Sequence, residues 1–293
     1  MKRAWKCNVL LTVSGAIGGC GHAVKRHDVV PVAARPVARE ASQEELLDRY
    51  NAEAHSLQTI NATMELKPTT GSKYSGVIDE YHEIKAFLLA SRPYNIRMVG
   101  QVPVVGKTVF DMTSDAQTFE VSIPPKNKFL TGQVAQERQS SKPIENLRPQ
   151  HLLDALLWPE VRKEEIVLIE ESNDENARYY VLTVLRGGYK SEILRKIWFD
   201  RADLSVARLE AYGPKGALLS DARYADWQPV SPESGAEYPR MIRIDRPHDE
   251  YHLDLAISKI ALNEALTPQQ FKLEAPAGAE IVHVGEESGD KKP

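Results

Sequence analysis

Few side chains in this sequence are placed for chemistry. There is no GxSxG nucleophile turn, no Walker loop, no HExxH and no Gly-rich dinucleotide fingerprint, so the common hydrolytic, nucleotide-binding and zinc-protease chemistries have no motif to stand on. Two clusters carry metal-type donors, Glu80-Tyr81-His82-Glu83 and His248-Asp249-Glu250-Tyr251-His252. In a strand, His248 and His252 would lie about 13 Å apart at 3.3 Å per residue, too far to share one ion without a tight turn. Both clusters therefore read as surface strand ends, and no cofactor and no metal site is expected. The remaining chemical handle is sulfur. Cys7 and Cys20 are the two thiols of the chain, and both lie near its start.

What surrounds them decides their meaning. Lys2, Arg3 and Lys6 precede an apolar run from Val9 to Ile17, the layout of a secretory signal, and the run falls short of the roughly 20 residues needed to span a bilayer. Ile17-Gly18-Gly19-Cys20 resembles the bacterial lipobox, which implies diacylation of the Cys20 thiol, cleavage before it and acylation of the new amino terminus. An ordinary cleaved signal is the plainer alternative. Residues 1–19 are thus read as signal peptide and 20–41 as lipidated cysteine and flexible tether, the Ala-, Val- and Pro-rich GHAVKRHDVVPVAARPVAREA. The exported domain then has no thiol, so disulfides and cysteine-based metal sites are excluded and stability rests on a hydrophobic core.

Charge narrows the partners. The whole chain carries 37 Lys and Arg against 41 Asp and Glu, a net charge of -4; loss of Lys2, Arg3 and Lys6 with the signal would leave -7. An acidic domain argues against nucleic acid, which calls for a basic stripe. It also argues that any membrane contact is local and apolar.

Ser42 and Glu45 have capping-box spacing, and Leu46, Leu47, Tyr50, Ala54 and Leu57 recur at helical intervals, predicting a helix from Ser42 to about Gln58. Eleven or twelve strands in meander order follow, interrupted by one short helix from Pro149 to Leu157 and closed by a last strand near Phe271 to Leu273. Strict alternation at Phe119, Val121 and Ile123, and at Tyr251, Leu253, Leu255 and Ile257, predicts sheets with one wet and one apolar face. The Tyr179–Leu185 stretch is apolar on both faces, which predicts cover on both sides by a helix or by the other wall. The fold class is mainly β, α+β: one large curled antiparallel sheet forming a half-open barrel, with helices on its concave side.

Between two of these strands lies Val102-Pro103-Val104-Val105, where polar turn residues would be usual. It reads either as a membrane-contact tip or as a buried hairpin corner, and composition alone slightly favours the corner. The order of these features resembles the LolA/LolB superfamily of periplasmic lipoprotein carriers and outer-membrane lipoprotein receptors: a lipobox, a leading helix, a long strand pair, a strand ending in Gly-x-x-Pro-apolar-Gly, a Leu-rich short helix, then hairpins. Asn263, Leu266, Phe271, Pro276 and Gly278 match its closing pattern. The likeness covers about residues 42 to 282, leaving 283–293 as a disordered tail, and this loop carries valines where the receptor branch carries leucine.

What the resemblance implies is a chamber for acyl chains. Val102, Pro103, Val104 and Val105 would touch the membrane, and Leu152, Leu153, Leu156, Leu157 and Trp158 would form a lid. Ile96, Met98, Phe110, Met112, Phe119, Val121, Leu253 and Leu255 would line the cavity. The implied role is a monomeric, lipid-anchored protein on the periplasmic face of the outer membrane, not an enzyme. It would bind lipid or acylated lipoprotein cargo and receive it from a periplasmic carrier protein. The alternative is a structural or sensory envelope lipoprotein that binds a protein partner through the same barrel.

Overall fold

A computed structural model describes residues 37–72, 77–80, 82–134, 149–174, 177–232 and 235–284. The signal peptide, Cys20 and nearly all of the tether and tail expected from the sequence lie outside the described residues. Helix α1 runs Gln43–Ser56, its amino end capped by the Ser42 hydroxyl, which accepts from Glu45 N at 3.1 Å. Leu46, Tyr50 and Ala54, four residues apart, fall on one face and are fully buried.

Fourteen further segments alternate into strands before the closing one: β1 (Thr59–Ser72), β2 (Val77–Glu80), β3 (Ile84–Ser91), β4 (Asn95–Gln101), β5 (Thr108–Ser114), β6 (Thr118–Ile123) and β7 (Lys128–Gln133) form the first group. After helix α2 (Gln150–Leu156) come β8 (Glu165–Asn173), β9 (Arg178–Arg186), β10 (Glu192–Asp200), β11 (Val206–Tyr212), β12 (Leu218–Pro229), β13 (Glu237–Arg246) and β14 (Tyr251–Leu262). The last is β15 (Glu280–His283). All fifteen join one curled sheet in the order β15-β7-β6-β5-β4-β3-β1-β14-β13-β12-β11-β10-β9-β8, with β2 beside β1. The sheet does not close into a barrel.

Strand faces follow the sequence along β14 and β4 but not along β6, where Ser122 is buried and Val121 and Ile123 are only partly so. Along β14, Tyr251, Leu253, Leu255 and Ile257 are buried and the residues between them are partly wet; β4 alternates the same way at Ile96, Met98 and Gly100. Helices α1 and α2 supply the second layer over the concave face, and their apolar residues join those of the strands in one core.

Three further expectations change. No strand forms near Phe271: Thr267 and Gln270 make a reciprocal capping box that turns Pro268–Phe271 into a short 3-10 helix. The closing strand comes later, as β15, and it pairs parallel with β7 within a sheet otherwise antiparallel. Among the described residues no helix or second wall covers the outer face of β9. Val181 is buried there beneath side chains of neighbouring strands: Trp198 sits opposite it in register, Tyr179 meets that indole edge-on at 5.6 Å, and Arg208 lies 5.1 Å from its centroid. Long amphipathic side chains lying flat exclude water as a helix would.

Candidate lipid-contact site

Strands β4 and β5 carry a tip at residues 102–107; β5 runs beyond its paired stretch with β6, and β4 stays paired with β3 as far as Gln101. Gly100 is needed at its base, since a Cβ there would come within 2.4 Å of the Phe110 ring that crosses it. The tip closes on its own backbone: Val102 N donates to Lys107 O at 2.9 Å, Gly106 N to Val102 O at 3.0 Å and Val105 N to Pro103 O at 2.8 Å. Its apolar side chains are not buried in a corner. Val104 is fully exposed and Val105 is 76% exposed, with Val102 and Pro103 also in water. Val104 is held at φ 67°, a left-handed conformation that a β-branched side chain resists by about 1–2 kcal/mol. Exposure and strain coincide at one residue.

The lid segment is placed in the opposite way. Leu152, Leu153, Leu156, Leu157 and Trp158 are all buried in the core beneath the curled sheet. Helix α2 is too short to satisfy its own last carbonyls, and other elements do it instead. Tyr224 and Tyr238 donate their hydroxyls to Ala155 O and Leu156 O at 2.9 and 2.8 Å, Tyr50 donates to Pro159 O at 2.9 Å, and the Arg92 guanidinium donates to Trp158 O at 2.6 Å. Burial pushes the phenols of Tyr50, Tyr224 and Tyr238 well above their ordinary value, so they stay neutral donors. The segment is pinned as a plug. Sequence reasoning missed these tyrosines, because a phenol bonded to a distant carbonyl leaves no local pattern.

Of the eight residues expected to line a chamber, Ile96, Met98, Met112, Leu253 and Leu255 are packed into the core with the plug, and Phe110 and Val121 pack partly buried against it. Phe119 is buried near Gly132, where a Cβ would strike its ring, and lies outside that core.

Open space lies at the mouth of the sheet, around the end of α1. A pocket of about 430 Å³ is walled by Leu57, Trp158, Trp227, Tyr238, Ile260 and Leu262, with Glu53, Glu237 and Glu264 also facing it. Trp158 and Trp227 pack against each other at 5.7 Å. The Trp227 indole N–H is out of water and has no hydrogen-bond partner among the described residues, whereas that of Trp158 faces the Tyr224 hydroxyl. A buried donor left unmet costs about 1–3 kcal/mol, which a bound acceptor would recover. Leu262 pairs with Ile60, Ile60 with Ala90, and β3 meets the tip's strand at its other end, so pocket and tip lie toward opposite strand ends.

Elsewhere, Arg39 N donates to Arg201 O at 2.7 Å, and the Arg201 guanidinium holds Glu40 at 2.6 Å and Glu171 at 2.7 Å, stacked 4.4 Å from the Tyr180 ring. His252 lies 3.7 Å from Asp245, and no group of three metal-type donors occurs among the described residues.

No family model matches the chain, and neither does any curated protein. Solved structures do. A DUF1329 family protein from Desulfovibrio piger superposes at TM-score 0.50 with 13% identity, covering 78% of this chain and 94% of that one. The two share a fold, one large curled sheet with helices on its concave side. The LolA superfamily protein NE2245 from Nitrosomonas europaea is also similar at TM-score 0.49 and 12% identity, over 80% of this chain and 99% of its own. So is a candidate outer membrane lipoprotein-sorting protein domain from Vibrio parahaemolyticus, at 0.48 and 12%, over 78% and 94%. At these identities the likeness is one of fold alone.

Proposed function

We propose that this chain is a lipid-anchored envelope protein that binds acyl chains and helps to place lipid or acylated lipoprotein at the outer membrane, on its periplasmic face. Cys20 would supply the anchor, the Val102–Val105 tip the bilayer contact, and the mouth pocket the seat for hydrocarbon. A periplasmic carrier is the expected donor, and the protein acts as a monomer without enzymatic chemistry.

The observation that carries the reading is the exposed tip. Full burial of a valine side chain is worth on the order of 1.5–3 kcal/mol, so Val104 and Val105 together offer about 3–6 kcal/mol to a bilayer. Since 4.1 kcal/mol corresponds to about 1 mM, such a tip touches a membrane but does not stay. A tethered protein needs no more than that, because the anchor keeps the membrane near while a weak contact permits handover.

The test is transfer of a fluorescent acyl lipid from the protein to vesicles. Val104→Glu with Val105→Glu should leave folding intact and impair transfer; unchanged transfer would make the tip structural only. Cys20→Ser should release the chain from carbonate-washed membranes, and retention there would sink the anchor.

A second reading, an envelope lipoprotein that binds a protein partner, draws support from β8. That strand ends the sheet and leaves Ile166, Leu168 and Ile169 exposed along an unpaired edge, the kind of edge to which an extended chain can add. Lipid copurifying with the protein, identified by mass spectrometry, would separate the two readings.

A further inference from the structure

We infer that the mouth pocket selects an amphiphile whose head is a protonated amine next to a hydrogen-bond acceptor oxygen, the chemistry of an amino alcohol with a hydrocarbon tail. The inference rests on the proposal that apolar chains enter this mouth, and it adds the head group. Three observations carry it. The wall is aromatic, with Trp158, Trp227 and Tyr238 presenting rings to which a cation is attracted. Among the described residues the charge lining it has one sign: Glu53, Glu237 and Glu264 face the pocket and no lysine or arginine does. The buried Trp227 indole N–H lacks an acceptor among the described residues.

The carboxylates are unequally occupied. Glu264 accepts from Asn61 Nδ2 at 2.9 Å, and Glu53 is bound by Arg49 at 3.0 Å along α1. Glu237 has no ion-pair partner among the described residues. Burial, opposed by Arg49 and reinforced by the nearby charge of Glu237, holds the Glu53 carboxyl above its ordinary value. An ammonium between Glu53 and Glu237 would relieve that repulsion, whereas a phosphate or carboxylate head would add a further negative charge. The acceptor oxygen would take up an indole N–H, and the tail would lie along Leu57, Ile260 and Leu262.

The test uses the full chain carrying Cys20→Ser and four ligands with the same tail, decanol, decanoate, decylamine and N-decylethanolamine, followed by tryptophan fluorescence and calorimetry at pH 7.5. Decylamine should bind at least tenfold more tightly than decanol, and decanoate most weakly. N-decylethanolamine should exceed decylamine, and Trp227→Phe should remove that advantage. Glu237→Gln, with its fold checked by circular dichroism, should lower the ratio of decylamine to decanol affinity to near one. Amine affinity should rise as pH climbs through the raised Glu53 range, because ionised Glu53 is the form that binds. Equal binding of decanol and decylamine, or tighter binding of decanoate, would overturn the amine claim and leave an acyl pocket standing. No binding by any of the four would remove the pocket as a ligand site, and with it the proposed seat for hydrocarbon.

Discussion

The Val102–Val105 tip and the Leu152–Trp158 plug have nearly the same apolar character, yet they meet opposite environments. Each plug side chain is surrounded by strands, and its carbonyls are taken up by Tyr50, Tyr224, Tyr238 and Arg92. Each tip side chain faces water, and Val104 holds an unfavourable backbone angle as well. The plug has already gained its burial energy on folding. The tip gains none until something outside the molecule covers it. Apolar residues thus divide into those that stabilise a fold and those that stay available to a partner, and packing separates the two where composition cannot.

Substitutions can break this contrast from either side. The largest effect should come from Trp158→Ala, which empties the centre of the plug and should lower unfolding stability by about 3–5 kcal/mol in urea denaturation. Next is Tyr238→Phe, which leaves the Leu156 carbonyl without its phenol donor and should lose about 1–2 kcal/mol. The buried phenols add a pH arm. Their folded values lie above the unfolded one near 10, so the neutral form is favoured on folding; that contribution is present below pH 10 and lost as pH rises beyond it. In an absorbance titration, Tyr50, Tyr224 and Tyr238 should stay silent until alkaline unfolding exposes them together. Phenolate from these residues while the near-ultraviolet circular dichroism remains native would show that the plug is loose.

The smallest change in stability should come from the tip, and it should have the opposite sign. Val104→Gly relieves the left-handed strain against a larger loss of chain entropy, so stability should stay level or rise by up to about 1 kcal/mol. Lipid transfer should nevertheless fall. A variant as stable as the parent with full transfer would show that Val104 has no partner.

Much of the sheet was legible in the sequence because strand faces are a local property. Alternation at Tyr251–Ile257 gave β14. Strand β15 was not legible: four residues in a Gly- and Glu-rich end form a strand because β7 offers a free edge, and a parallel partner leaves no sign in its own sequence. The exposure of Val104 was ambiguous for a similar reason. A valine reads alike in a corner and at a tip, and what decides is whether another element packs over the turn. The mouth pocket was invisible, since its wall comes from α1, the residue after α2, β12, β13 and β14, and no window of sequence holds them together.

The Arg201 clasp changes how a leash fixed at Cys20 would act as a mechanical part. The chain is secured at Arg39 and Glu40, just ahead of the first residue of α1. A pull from an acylated end would therefore be loaded onto the β10–β11 turn and spread through the sheet, leaving the first turn of α1 unstressed. The domain could be tugged, tilted or swept along a bilayer without unwinding the helix that packs beside its plug.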